Sequence, residues 1–413
     1  MSAADWTTGN AAGYGEDLAG AGLAGLEDAG YLAALREDVR HFAGGRLTID
    51  LDALVANWQA LAETAAPAEC AAVVKGDAYG TGLEPAVRAL TAGGCRTFFV
   101  ALLSEGVRAR AVAPQADIYV LNGLAPGAAP VFAAAGLHPV LGSQAEIAEW
   151  VAFRQGREDE VPFAALHIDT GMNRLGISLG ETAALAANGT LPGRAGIGLI
   201  MSHLACADLP DHPMNRSQLK SFRAARALLP GIPVSIANSA GILTDRNFHF
   251  DLVRPGIALY GGSAIAGQEN PMLPVVTLEA RIVQVRSVRS GETVGYGAAQ
   301  TARRDTRIAV VSVGYADGFP RSAGGSDAAG EGALGALGGH LVPLFGRVSM
   351  DLMAFDVTDV PSEFVKRGNF IELFGPTAPL DGVATRAGTI SYEVLTHLGR
   401  RFARRHIGAG YSL

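Results

Sequence analysis

The sequence predicts an α/β chain in which a TIM-like (β/α)8 barrel is followed by a mainly β C-terminal domain. Three observations predict it. Between residues 46 and 268, eight short apolar runs alternate with segments of helical periodicity, the pattern of parallel strands joined by crossover helices. None of those runs shows clean period-two alternation, as expected of strands buried on both faces. Beyond Pro271 the texture changes to longer strands in which valine and arginine alternate, which reads as a separate domain.

In chain order, residues 1–45 are acidic and rich in alanine and glycine and read as an N-terminal extension, with one amphipathic helix in "EDAGYLAALREDVRHF" able to dock on the body. The barrel, residues 46–268, opens with "RLTIDLDALVANWQAL", whose first strand can instead pair with the β domain. Its candidate strands are "CAAVV", "TFFVAL", "DIYVL", "HPVLG", "FAALHI", "GIGLIMSH", "VSIANS" and "LVRPGIALYG". A doubly wound open sheet fits the same alternation. The β domain, residues 269–413, holds "TLEARIVQVRSV", "RIAVVSVGY", "HLVPLFGRVSM" and "FIELFG". Within it, "SAGGSDAAGEGALGALGG" (322–339) has the composition of a mobile loop with no packed element.

Composition removes several function classes. The chain has 413 residues, 49% hydrophobic and 18% charged, with a net charge of −7 and no long Lys/Arg run. Nucleic acid or an anionic membrane would need a concentrated basic face, so a small-molecule ligand is expected. Three cysteines, Cys70, Cys95 and Cys206, form no C-x-x-C pair, which suggests neither a disulfide framework nor a metal site and suits a reducing cytoplasm. No apolar stretch reaches membrane-helix length, and no basic residue precedes Arg36, as an export signal would require.

Lys75 ends an apolar run and is followed by glycines around Tyr79. A lysine there usually snorkels to water. At the C-terminal end of a barrel strand, however, it stands where active sites sit, and a desolvated amine can form a Schiff base. Arg254 precedes Pro255 and is held extended, with Gly256 and Ile257 offering N–H groups just beyond a strand. Asn238 and Ser239 follow "VSI" and suit either phosphate donors or a helix N-cap. His203 ends another strand, where a satisfied core histidine is the bland alternative. Tyr296 lies between two glycines in a segment that an ordinary hairpin would also explain.

Taken together, "VVKGDAYGTG", "HIDTGMNRLGI", "ANSAGIL", "DLVRPGIALYG", "VGYGA", "SVGYADGFPR", "GRVSMDLMAFDV" and "ISYEVLTHLGRR" stand in the order and spacing of bacterial alanine racemases, a resemblance covering about residues 46–405. It implies a pyridoxal 5'-phosphate enzyme that interconverts L- and D-alanine, supplies D-alanine for peptidoglycan and works as a head-to-tail homodimer with shared active sites. Carried over, Lys75 resembles the lysine that holds the cofactor and acts as one base, and Tyr296 the second base, given by the neighbouring subunit. Tyr79, Ser239, Gly256, Ile257 and Tyr392 match positions that hold the cofactor phosphate. Arg174 matches the arginine near the phenolic oxygen and the substrate, Arg254 the one facing the pyridine nitrogen, and His203 the histidine beside it. Met350 and Asp351 match partner-chain residues that receive the substrate carboxylate, and Tyr315 a tyrosine at the entrance.

One departure is chemical. His167 stands where many relatives have a lysine that becomes carbamylated and pairs with the arginine matched by Arg174; an imidazole cannot supply that carbamate. Gly76 and Asp77 replace the common Ala and Asn. A broader-specificity or serine racemase is the competing reading, because the same groups would serve it. Diamino-acid decarboxylases share the layout but place an acid opposite the ring nitrogen, against which Arg254 counts. A barrel-only cofactor-binding protein would lack the second domain that carries Tyr296.

Overall fold

The structure, a computed structural model, describes residues 42–410, so the helix expected upstream of residue 42 lies outside the described residues. Gly45–Asp50 is a strand, and Asp50 turns the chain by capping the helix Leu51–Ala65, its carboxylate accepting from Ala53 N–H at 3.0 Å. That helix buries Leu51, Leu54, Trp58 and Leu61, the three-and-four spacing of a single face.

All eight expected barrel strands are present, each shorter than its apolar run. Seven lie in one parallel path, Ala72–Val73, Thr97–Val100, Asp117–Val120, His138–Leu141, Ala164–His167, Ile197–Met201 and Val234–Ser235. The eighth, Leu252–Val253, pairs in parallel with Glu69–Cys70, just upstream of the first. Hydrogen bonds from Asp251 N to Val234 O (3.2 Å) and Arg254 N to Ala237 O (2.9 Å) join it to the seventh, so the ring closes. Thr97–Val100, His138–Leu141 and Ala164–His167 are buried along their whole length, which accounts for the missing alternation. Full burial of a side chain such as Phe98 or Phe99 contributes roughly 1.5–3 kcal/mol.

The second sheet is mostly antiparallel and built on Val276–Val288, which pairs with Gly45–Asp50, Thr306–Val311 and Phe370–Phe374. The last strand, Ala403–Ile407, runs parallel to Gly45–Asp50 on its other edge. One continuous apolar cluster includes Leu47, Phe98, Leu278 and Phe402, so barrel and sheet share a core. The segment 322–339 corrects the sequence expectation. Leu334–Leu337 is a strand paired with both His340–Pro343 and Phe370–Phe374, and Ala323, Ala333, Ala336 and Leu337 are buried. Small side chains there permit close sheet contact: a Cβ on Gly335 would lie 2.9 Å from Glu372 O.

Candidate active site

The barrel strands deliver their following residues to one rim. Lys75 stands two residues after Ala72–Val73, His167 ends its strand, His203 follows Ile197–Met201, Ser239 follows Val234–Ser235 and Arg254 follows Leu252–Val253. There Lys75, His203, Ser239 and Arg254, with Tyr79, Gly256, Ile257 and Tyr392, line a cavity of about 710 Å³, and His167 lies outside its lining. Tyr392 comes from the helix Ser391–Thr396, beyond the barrel in sequence. A neighbouring cavity of about 1020 Å³ shares His203, Asn238 and Tyr392 with the first.

The chain leaves Lys75 in an unusual way. Gly76, Asp77, Ala78 and Tyr79 all have positive φ, between 53° and 65°, a left-handed turn that costs each non-glycine residue roughly 1–2 kcal/mol. Several contacts hold it. Glu105 is buried and accepts from Gly76 N (2.7 Å) and Asp77 N (3.2 Å) with one oxygen, and from Ala101 N (2.9 Å) and Leu102 N (3.1 Å) with the other. Arg108 donates to Asp77 at 2.7 Å, Arg404 to Gly80 O at 2.6 Å, and His406 Nε2 lies 2.8 Å from Thr81 O. Sequence reading missed Glu105. The only local signal was its place three residues after Leu102, which caps the helix Leu103–Val112 without a hydroxyl.

On the opposite wall the site is shaped for a small anion. Ser239 Oγ accepts from Gly256 N (2.9 Å) and Ala258 N (3.3 Å), leaving its hydroxyl proton to donate. Ile257 opens a 3-10 turn, whose first N–H has no acceptor within the turn. Gly256 is required there: a Cβ would overlap Tyr79 Oη and lie 3.0 Å from Tyr79 Cζ. Tyr79 cannot easily retreat, being buried and stacked on Tyr260 at 4.6 Å, whose own hydroxyl donates to Val73 O at 3.0 Å.

The interior between these walls is cationic. Arg254 is buried, donates to Ser235 Oγ and Ser202 O, and has no carboxylate partner among the described residues. Burial lowers its pKa to about 9, so it remains charged at pH 7. A buried unpaired guanidinium is costly unless a ligand supplies an acceptor. Burial, then Arg254 and Arg174, push His203 well below the usual imidazole range and His167 down to about 4, so both are neutral at pH 7. Lys75 opens to the cavity, yet desolvation and Arg174 lower its pKa, with Glu105 acting in the opposite direction. A donor-lined pocket for an anion, an aromatic wall, a buried guanidinium and a softened amine fit a phosphorylated aromatic aldehyde.

Other sequence-predicted residues lie outside the lining of this cavity. Arg174 is exposed and reaches the site through its charge. Tyr296 is 74% exposed in the turn Tyr296–Ala298 of the β domain. Tyr315, Met350 and Asp351 are also exposed and adjoin one another, Tyr315 N and Ala316 N donating to Ser349 O and Met350 O. Arg401 ties them down by pairing with Asp317 at 2.7 Å and Asp351 at 2.8 Å. Within one chain, then, the structure assembles the residues around Lys75 and leaves exposed on the β domain Tyr296 and, joined by backbone hydrogen bonds, the segments of Tyr315 and Met350.

The models for the N-terminal and C-terminal domains of alanine racemases match residues 49–264 and 275–406. The alanine racemase of Rhizobium meliloti is 50% identical over 371 residues, 89% of this chain and 97% of the relative. The biosynthetic alanine racemase of Agrobacterium fabrum is 48% identical over 88% of this chain and 94% of its own length. A crystal structure of alanine racemase from Bartonella henselae, with covalently bound pyridoxal phosphate, superposes with a TM-score of 0.81 at 40% identity, covering 88% of this chain and all of that one.

Proposed function

The chain belongs to the alanine racemase family, and on that premise we propose that it interconverts L- and D-alanine with pyridoxal 5'-phosphate, using Lys75 and the partner's Tyr296 as its two bases. The observation that carries the reading is the meeting of Lys75 with the Ser239–Gly256–Ile257 donors and unpaired Arg254 around one cavity. When bound, the cofactor supplies a carbonyl carbon for an amine and a conjugated ring that delocalises the electrons left by a departing Cα proton. Lys75 Nζ, covalently linked to the cofactor at rest, moves a proton at Cα on one face, and Oη of the partner's Tyr296 moves one on the other. Net racemisation needs both faces served, because a single base returns the proton to the side it left.

Arg254 can donate a hydrogen bond to a ring nitrogen but no proton, since its pKa of about 9 keeps it charged at neutral pH. By supplying no proton there, Arg254 would leave the ring of a bound cofactor a weaker electron sink than a carboxylic acid in the same place would. Ser239, Gly256, Ile257, Tyr79 and Tyr392 hold the phosphate. Arg174 orients the cofactor's phenolic oxygen and the substrate, with His203 linking Arg254 toward the second base.

The exposure of Tyr296, Tyr315 and Met350 outside the Lys75 cavity favours a homodimer in which one subunit's β domain closes its partner's cavity: the partner's Tyr315, the partner's Met350 and the partner's Asp351 would line the entrance and receive the substrate carboxylate. In this reading the chain divides into an extension (1–45), a cofactor-binding barrel (46–268) and a β domain (269–413). It works in the cytoplasm and supplies D-alanine for peptidoglycan, in line with the biosynthetic name carried by the Agrobacterium relative; among the described residues no helix is long and apolar enough to cross a membrane. The test is incubation of the purified, cofactor-loaded protein with single L-amino acids, followed by chiral separation. Conversion of L-alanine ahead of L-serine, L-lysine and L-arginine supports the reading, comparable turnover of serine moves it to a broader-specificity racemase, and release of carbon dioxide refutes it.

A further inference from the structure

We infer that Glu105 is a positioning residue for Lys75: its carboxylate clamps the left-handed turn that aims the amine into the cavity and sets a negative charge beside it. The inference rests on the reading of Lys75 given above. Four backbone N–H groups converge on this one buried side chain, two from its own loop and two from Gly76 and Asp77, the residues that follow Lys75. Three non-glycine residues are left-handed in that turn, so it persists only while its surroundings hold it there.

The same fold contains a natural control. Glu146 is built alike, at the third position of the helix Gln144–Arg154, and likewise reaches back to the preceding loop: it accepts from Leu124 N at 2.9 Å and from Gly142 N at 2.9 Å. No lysine stands in the loop it holds. Both glutamates staple neighbouring βα loops, and only Glu105 staples the one that carries the amine.

Charge gives the second half of the role. Lys75 faces Arg174 and Arg254, both of which lower its pKa, together with His203, whose own titration it lowers. The helix Ser391–Thr396 brings Tyr392 and Glu393, with His397 following, and Asp77, two residues further along the turn, is paired with Arg108. Glu105 is the carboxylate that raises the Lys75 pKa against these cations. Removing its charge therefore drives the amine further down.

The test compares Glu105→Gln with Glu146→Gln in the cofactor-loaded enzyme. Glu105→Gln is expected to lower kcat about tenfold or more, the scale of an ångström-level misplacement. It is also expected to move the acidic limb of the kcat profile, which reports groups in the substrate complex, down by about half a pH unit or more, as loss of one nearby charge does. Glu146→Gln lowers the unfolding temperature but leaves that limb in place. Equal behaviour of the two variants overturns the inference. Should Glu105→Gln fail to accumulate as holoenzyme, Glu105→Asp replaces it, keeping the charge but withdrawing the clamp: kcat falls while the limb stays, and an unchanged kcat overturns the inference. Retention of covalently bound cofactor by Lys75→Ala would instead contradict the reading of the site itself.

Discussion

Gly256→Ala tests the shape of the anion pocket with a single methyl group. The added Cβ would lie 3.0 Å from Tyr79 Cζ and 3.6 Å from Cε2, with the hydroxyl oxygen nearer still. Carbon pairs settle at about 3.5–4.0 Å, so the ring must withdraw by roughly an ångström. Its stack on Tyr260, at 4.6 Å and 24°, stands in the way. Overpacking of this kind costs about 1–3 kcal/mol. Alanine returns at most about 0.4–1 kcal/mol by restricting the unfolded chain, and less at Gly256, where a φ of −125° is paired with a ψ of −89° outside the usual ranges of alanine. The clash wins, leaving a net loss of about 1–2 kcal/mol in urea denaturation, together with weaker cofactor binding because the Gly256 and Ile257 N–H groups move with the ring. A double-mutant cycle isolates the cause. Tyr79→Phe deletes the atom in worst overlap, so Gly256→Ala should cost less in that background, with a coupling of about 1 kcal/mol. Unchanged or raised stability in Gly256→Ala, or zero coupling, would refute the packing argument.

The remaining predictions concern charge and covalency. Lys75→Ala should fold normally but lose the absorbance of covalently attached cofactor and nearly all turnover, as read by spectrum and chiral assay. His167, with its pKa lowered from 6.5 to about 4, binds a proton more readily unfolded than folded. Its contribution is therefore present above pH 6.5 and lost as pH falls toward 4, by at most about 3 kcal/mol at 1.36 kcal/mol per unit. His203 adds in the same direction. Stability measured between pH 7 and 4 should thus fall less steeply in His167→Gln. Because His167 offers no amine to carbon dioxide, kcat should be indifferent to bicarbonate at matched pH and ionic strength; dependence on it would mean that a lysine elsewhere fills that role.

Much of the fold was legible because the barrel strands are buried on both faces, so their apolar runs stand out without alternation. The strands that escaped notice lack that signal. "ARRHI" (403–407) is polar and owes its place to backbone pairing with Gly45–Asp50. Leu334–Leu337 lies in a glycine-rich stretch whose composition suggests mobility, while its small residues let it lie close against Phe370–Phe374. The site divides in the same way. Lys75, His203, Ser239 and Arg254 were visible as polar residues ending apolar runs, a one-dimensional trace of the barrel rim. Glu105 and Tyr260 act through contacts between residues far apart in sequence, Glu105 with Gly76 and Tyr260 with Tyr79 and Val73, and no local pattern announces them. The left-handed turn was hidden for another reason: Ala78 and Tyr79 within it are types that rarely adopt that conformation.

We propose that the two bases of each site come from different subunits. Lys75→Ala and Tyr296→Phe proteins, each inactive alone, should regain activity when mixed under conditions of subunit exchange. A hybrid dimer carries both defects in one site and neither in the other, so random pairing, which makes half of the dimers hybrids, should restore roughly a quarter of wild-type turnover per subunit. Recovery near that level would establish the shared site; exchange demonstrated by mass with no recovery would contradict it.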